Sequence, residues 1–104
     1  MALEPLTPEE RREALGKAMA ARATRSQAKA ALRSGELTIE DLLKRSHDDE
    51  ALARLKVTEM LECVHGVGPV RALAILDSLG IAPSRRLRGL GVRQRQALVE
   101  FLAG

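Results

Sequence analysis

The sequence predicts an all-α protein, and three observations carry that expectation. Its 104 residues include 17 Leu and 16 Ala but only nine Val and Ile together and one aromatic, Phe101, whereas pleated surfaces favour branched and aromatic side chains. Thr7-Pro8-Glu9-Glu10 and Thr38-Ile39-Glu40-Asp41 both carry helix-start signals. In the second half, apolar residues recur at helical spacing. A chain of this length has room for one compact domain with a protruding element.

Thr7 is placed to cap the first helix, Pro8 suits its first position, and Glu10 completes a capping box. That helix should run from Pro8 to Arg33, with one interior glycine, Gly16, and eight alanines between Ala14 and Ala31, before Ser34-Gly35 ends it. Its large apolar residues are chiefly Leu15, Met19 and Leu32, so at roughly 25 cal/mol per Å² of buried apolar surface it gains little from packing. It is expected to project, partly solvated. Thr38 starts a short helix reaching about Ser46, and His47-Asp48-Asp49-Glu50 reads as an acidic connection. From Ala51 onward Leu52, Leu55, Val57, Met60, Leu61 and Val64 keep helical spacing until Gly66-Val67-Gly68-Pro69 interrupts them. Val70, Leu73, Ala74, Ile75, Leu76 and Leu79 give the next helix a wide apolar face, closed by Gly80. Ile81-Ala82-Pro83-Ser84 is a loop with a buried anchor, and a final helix follows Gly91, packing through Val92, Leu98, Val99, Phe101 and Leu102. The chain thus divides into an N-terminal cap and basic helix (1–36), a short helix with acidic connection (37–50), and a helical unit (51–104).

Several classes fall away. One cysteine, Cys63, leaves no disulfide framework and no cysteine-rich zinc site, and suits a reducing cytosol. The segment Met1–Glu10 has neither the basic nor the apolar region of an export signal, and no run of about 18 apolar residues provides a membrane span. A soluble cytoplasmic protein is expected. Cys63 lies on an apolar helix face and reads as a small buried hydrophobe. His47 and His65 lack a partnering acid–nucleophile arrangement, and Asp48-Asp49 sits in a polar connection, so no catalytic residue, metal site or cofactor is expected.

Charge is segregated. Lys and Arg number 17 against 14 acids, and the net +3 divides as +2 over residues 1–36, −3 over 37–62 and +4 over 63–104. All six bases of the last segment are arginines, at 71, 85, 86, 88, 93 and 95; their planar donor forks suit phosphate. Five fall between Arg85 and Arg95 with no acid among them, a polyanion surface in the making. In Val64-His65-Gly66-Val67-Gly68-Pro69-Val70-Arg71-Ala72, two glycines permit close backbone approach while the helix opening at Pro69 presents free amides and a partial positive charge. An apolar helix, Gly-Val-Gly, then a helix with small Ala72 in place resembles the hairpin of helix-hairpin-helix DNA-binding elements. On the first helix, Arg22, Arg25, Lys29 and Arg33 share a face by their 3-4-4 spacing and form a second candidate phosphate track.

Together these strings closely resemble the actinobacterial type of integration host factor. The resemblance is carried by Met1-Ala2-Leu3 with Leu6-Thr7-Pro8-Glu9, the Ala-rich basic helix, Leu55-Lys56-Val57, Gly66-Val67-Gly68, Ile81-Ala82-Pro83 and, most specifically, Arg85-Arg86-Leu87-Arg88-Gly89-Leu90-Gly91. It implies a long N-terminal helix followed by a compact helix-two-turns-helix domain related to ribosomal protein S13, and a nucleoid-associated protein that binds double-stranded DNA and shapes the chromosome. By motif, Gly66, Val67, Gly68, Pro69, Val70 and Arg71 match the phosphate-binding turn, and Arg85, Arg86, Arg88, Gly89 and Arg93 the adjoining contacts. One departure is Pro69, where many members carry lysine; it removes an amide and a charge yet fits a first helical position. Recombination or nucleoid proteins are further expected partners.

The expected mechanism is backbone contact by hairpin amides and arginines with little base reading, Gln94 and Gln96 being the few base-reading candidates. Arg85 or Arg86 in a narrow minor groove would add a preference for A·T-rich shape. Should the first helix hold a second DNA segment, deleting residues 1–35 would abolish bridging and spare hairpin binding. The alternatives are an RNA-binding S13-like module, a protein adaptor, and a DNA glycosylase; the last needs an N-terminal proline nucleophile and a zinc finger, against Ala2 and one cysteine here. No long heptad seam argues for obligate dimerisation, so a monomer is expected.

Overall fold

A computed structural model of the chain describes residues 4–103; Met1, Ala2 and Leu3, which contribute to the family resemblance, and Gly104 lie outside them. Six α-helices and one 3₁₀ turn make up the described residues, and no strand occurs among them. Helix α1 spans Pro8–Ser34. Its capping box forms as the sequence predicts, Thr7 Oγ1 accepting from the Glu10 amide at 3.1 Å while the Glu10 carboxylate accepts from the Thr7 amide at 3.2 Å. Gly35, at φ 83°, ends the helix in the left-handed region that glycine enters without steric cost.

Helix α2 is Ile39–Arg45, capped by Thr38, and α3 is the single turn Glu50–Ala53, capped by Asp49. The periodic apolar run that begins at Ala51 is not one helix. It breaks at Arg54–Lys56 and resumes as α4, Val57–Glu62. The cause lies thirty residues away: the Val57 amide donates to Arg85 O and the Leu87 amide to Leu55 O, both at 2.9 Å, an antiparallel bridge of Lys56 with Arg86. Backbone committed to that bridge cannot also continue the helical ladder. Helix α5 is Pro69–Ser78, the 3₁₀ turn is Leu87–Gly89, and α6 is Val92–Ala103.

The core is leucine-based. Leu42, Leu55, Val57, Met60, Leu61, Leu76, Leu87 and Leu98 are fully buried, Ala28, Leu32 and Cys63 join them, and Ile81 anchors the loop after α5. Two apolar faces are narrower than the sequence suggests. On α5 only Ala72, Ile75 and Leu76 are buried, leaving Val70 83% exposed and Leu73 outward. On α6, Leu98 is buried while Val92 is 77% and Phe101 46% exposed.

The first helix projects with one half only. Residues 8–20 are exposed throughout, Leu15 and Met19 included, whereas Ala28 and Leu32 are buried. The radius of gyration, 15.9 Å, exceeds the roughly 13 Å of a compact chain this long, as a protruding half-helix requires. Because Ala28 and Leu32 belong to the core, deletion of residues 1–35 would open it rather than excise an independent arm. That deletion is therefore no clean test of bridging, and point substitutions on α1 must replace it.

Candidate nucleic-acid interface

The hairpin joins α4 to α5. Gly66 has φ 80°, and the Val67 amide closes the turn on Val64 O at 3.0 Å. Gly68, in extended conformation, precedes Pro69 at the start of α5 and no side chain caps that end. The first bond back into the turn is Ala72 N to Gly68 O at 2.9 Å, so the amides of Gly68, Val70 and Arg71 point outward unpaired. These donors, with the helix dipole behind them, form an anion-receptive end. Arg33, from the end of α1, lines the same cleft as His65, Gly66, Val67 and Gly68. The structure thus joins one residue of the α1 basic face to the hairpin.

Arg85, Arg86 and Arg88 lie elsewhere. The Lys56–Arg86 bridge fixes their loop at the start of α4, whereas the hairpin leaves from its end; six helical residues put about 9 Å between the two. Arg85 curls over Gly89, its Nη1 donating to Gly89 O at 2.8 Å, and Arg86 Nη1 donates to Arg54 O at 2.7 Å. A Cβ at Gly89 would stand 2.9 Å from Arg85 Cδ, so this glycine lets the arginine fold back. Arg88 and Arg93 are exposed. Arg22 and Arg25 border one cleft with Arg54, Lys56 and Arg86. Lys29, half-buried, acts on the Cys63 thiol together with Arg33.

Arg95 parts company with its neighbours. It donates to Leu87 O at 2.7 Å, to Leu43 O at 2.9 Å, to Ser46 Oγ at 3.2 Å and to Leu90 O at 3.4 Å, and Nη1 lies 3.5 Å from His47 Nε2. Burial pulls this guanidinium below the usual arginine range. It holds the arginine loop against the end of α2 and is spent on carbonyls, not available to a strand. Local sequence gives no sign of this, because Arg93 and Arg95 differ only in which side of α6 they occupy. Arg54 and Lys56 are absent from the sequence-based candidates for a similar reason. Only the break between α3 and α4 turns them toward Arg86.

Cys63 is buried at the end of α4, donating to Glu59 O at 3.2 Å, and burial pushes its thiol above the ordinary range. Among the described residues, no group of three or more His, Cys, Asp or Glu side chains is arranged to hold a metal, and no helix is long and apolar enough to cross a membrane. Only two ion pairs form among them, Lys44–Glu40 at 3.4 Å and Arg54–Glu50 at 2.7 Å. The arginines at 22, 25, 33, 85, 86, 88 and 93 therefore stand without a carboxylate within 4.0 Å among the described residues.

A helical hairpin with an open helix start, built on a leucine core beside a bridged arginine loop, defines an S13-like helix-two-turns-helix protein; the S13-like H2TH domain family matches residues 32–101. The chain belongs to the integration host factor family. It is 49% identical over 100 residues to integration host factor of Mycobacterium tuberculosis, covering 96% of this chain and 95% of that one. It is 44% identical over 98 residues to integration host factor of Streptomyces coelicolor, covering 94% and 92%. Its structure is similar to that of sIHF bound to an 8-base-pair palindromic DNA, with a TM-score of 0.81 and 37% identity over 83% of this chain and 97% of the other.

Proposed function

We propose that this chain binds double-stranded DNA with low sequence preference, as a nucleoid-associated architectural protein of the cytoplasm that bends, bridges or compacts the duplex. The observation that carries the reading is the uncapped start of α5, with three open amides, in a molecule whose arginines other than Arg54 have no carboxylate partner among the described residues. The DNA carried by the solved relative supports it. Gly66, Val67 and Gly68 shape the phosphate-binding turn, Val70 and Arg71 offer their amides, and Pro69 fixes the helix start. Arg85, Arg86, Arg88 and Arg93 neutralise further phosphates, with Gly89 giving Arg85 its room. Arg22, Arg25, Lys29 and Arg33 form a second contact track. Residues 51–104 carry the main DNA contacts, 37–50 connect, and 1–36 supply the basic helix. The chain acts as a monomer, and other nucleoid or recombination proteins are its further partners.

Phosphate contacts release counterions, so affinity must fall steeply with salt. Titrating duplex DNA at several salt concentrations should give a log–log slope of about −3 to −4.5, the value for roughly 3–5 neutralised phosphates. Arg88→Ala should weaken binding to all duplexes alike and flatten the slope by about 0.9. A matched RNA duplex competing equally well would move the reading to an RNA-binding module, and no affinity for either at low salt would refute it.

A further inference from the structure

Between α1 and the junction of α3 with α4 lies a cleft floored by Ala18 and Ala21 and walled by Arg22, Arg25, Arg54, Lys56 and Arg86, with Glu59 its one acid. Five cations share this concavity. Arg54 is paired with Glu50 at 2.7 Å; Arg22, Arg25, Lys56 and Arg86 have no carboxylate within 4.0 Å among the described residues. Two guanidinium groups are aimed by neutral carbonyls, Arg25 by Ala51 O at 3.4 Å and Arg86 by Arg54 O at 2.7 Å. Each such bond uses one of five donors and leaves the charge unneutralised. Like charges gathered against low-dielectric walls raise the local positive potential, and only a bound anion relieves it.

The lining also says which anion. The start of α4 borders the cleft through Lys56, no aromatic platform for a base does, and the space is an open trough between long side chains, suited to repeating phosphates. Small Ala18 and Ala21 let a strand approach the α1 backbone. Arg86 belongs both to this cleft and to the arginine loop assigned above to DNA contact. The hairpin cleft with Arg33 opens at the far end of α4. From Arg22 to Arg33 along α1 is about 16 Å at 1.5 Å per residue, on the scale of a groove and its flanking strands. Glu59 borders this cleft and Glu62 the hairpin cleft, so each station keeps one acid beside its donors.

We propose that this cleft is a further DNA site, holding the sugar–phosphate strand of the same duplex that the hairpin engages, with Arg54 and Lys56 as contacts. The inference rests on the DNA-binding reading and decides its form: one monomer grips one duplex at two stations across a groove, so α1 guides or bends DNA and does not bridge two helices.

The test uses the full chain carrying Arg22→Gln and Lys56→Gln, two residues that make no side-chain hydrogen bond or ion pair among the described residues, against a 20-base-pair duplex over a salt series. The slope should fall by about 1.8, the loss of two phosphate contacts, with an unchanged melting temperature. The charge-retaining pair Arg22→Lys and Lys56→Arg should restore it. Stoichiometry should stay at one duplex per chain, with no energy transfer between two differently labelled duplexes. An unchanged slope in the Gln pair, while Arg88→Ala still flattens it, overturns the cleft and leaves the DNA reading standing. Capture of a second duplex that is lost in the Gln pair overturns the single-duplex geometry. Absence of duplex affinity in the unaltered chain refutes the DNA reading itself and the cleft with it.

Discussion

The guanidinium of Arg95 donates a 2.7 Å hydrogen bond to the carbonyl of Leu87, tying α6 to the centre of the arginine loop. The same side chain reaches Leu43 O and Ser46 Oγ at the end of α2. One residue thus closes three segments over a core that holds Leu87 and Leu98 fully buried. Arg85, Arg86 and Arg88 are presented from a loop braced on both sides, by Arg95 within and by the Lys56–Arg86 bridge without.

Arg95→Met keeps the volume but removes the charged donor that links three segments, while Leu87 O keeps the Leu90 amide at 3.1 Å and Leu43 O the Ser46 hydroxyl at 2.6 Å. A hydrogen bond to a charged group contributes roughly 1.5–3 kcal/mol, and with two short ones lost at a partly exposed site a net loss of about 2–4 kcal/mol is expected. It should appear in urea as a lower midpoint with an unchanged slope. Arg93→Met, on the exposed side of the same helix, should leave stability within about 0.5 kcal/mol and weaken DNA binding instead. Equal midpoints for the two variants would contradict the assignment.

These two arginines also mark where the sequence stops being legible. Caps are local, so Thr7 with Glu10 and Thr38 with Asp41 can be read directly, and both form. The Gly66 turn and the buried anchor Ile81 are equally local signals. The break at Arg54–Lys56 is set by Arg85 and Leu87, far along the chain, and no pattern within Ala51–Val64 encodes it. Exposed Val70 and Val92 show the same limit. Helical spacing says that a face is apolar, but the width of the partner that covers it belongs to the tertiary structure. For the site, residue types were readable from sequence, whereas their grouping, Arg33 with the hairpin and Arg22 with Arg86, required the path of α1.

The two hairpin glycines should separate fold from function. Gly66 sits at φ 80°, so Gly66→Ala should cost about 1–2 kcal/mol, the penalty of a left-handed conformation for a residue with a Cβ. Gly68 has φ −91°, and a Cβ there meets nothing within 4 Å. Gly68→Ala should therefore be neutral or stabilising by up to about 1 kcal/mol. Nothing within the protein requires a glycine at 68, so a Cβ there would meet only a strand drawn close to the hairpin. Thermal melts should show Gly68→Ala intact while its duplex affinity falls at least several-fold; full affinity would remove the hairpin from the interface.

Cys63 supplies a pH dependence with a defined sign. Burial raises the thiol's pKa in the folded chain, outweighing the lowering by Arg33 and Lys29, so above the unfolded value of about 8.5 the native state holds a proton that the unfolded state has lost. The contribution is complete below that value and declines as pH rises toward the folded pKa. Denaturation midpoints should drop as the pH rises above the unfolded thiol's value, and Cys63→Ala should flatten that part of the profile. Iodoacetamide at pH 8 should label the thiol in urea and spare it in buffer.

Pro69 offers the test that adds a contact. It occupies the first position of α5, where its ring suits the backbone but contributes neither amide nor charge to the open helix start. Pro69→Lys restores both. Losing the rigid ring should lower stability by about 0.4–1 kcal/mol through a freer unfolded chain. The new ammonium and the new N–H both face the anion-receptive end, so the salt slope of duplex binding should steepen by about 0.9, one further phosphate. Affinity at low salt should rise more than at high salt, and equally for every duplex sequence, since phosphate contacts carry no base information. If stability drops as expected while the slope stays unchanged, the start of α5 does not lie against a phosphate, and the arginine loop must hold the duplex without the hairpin.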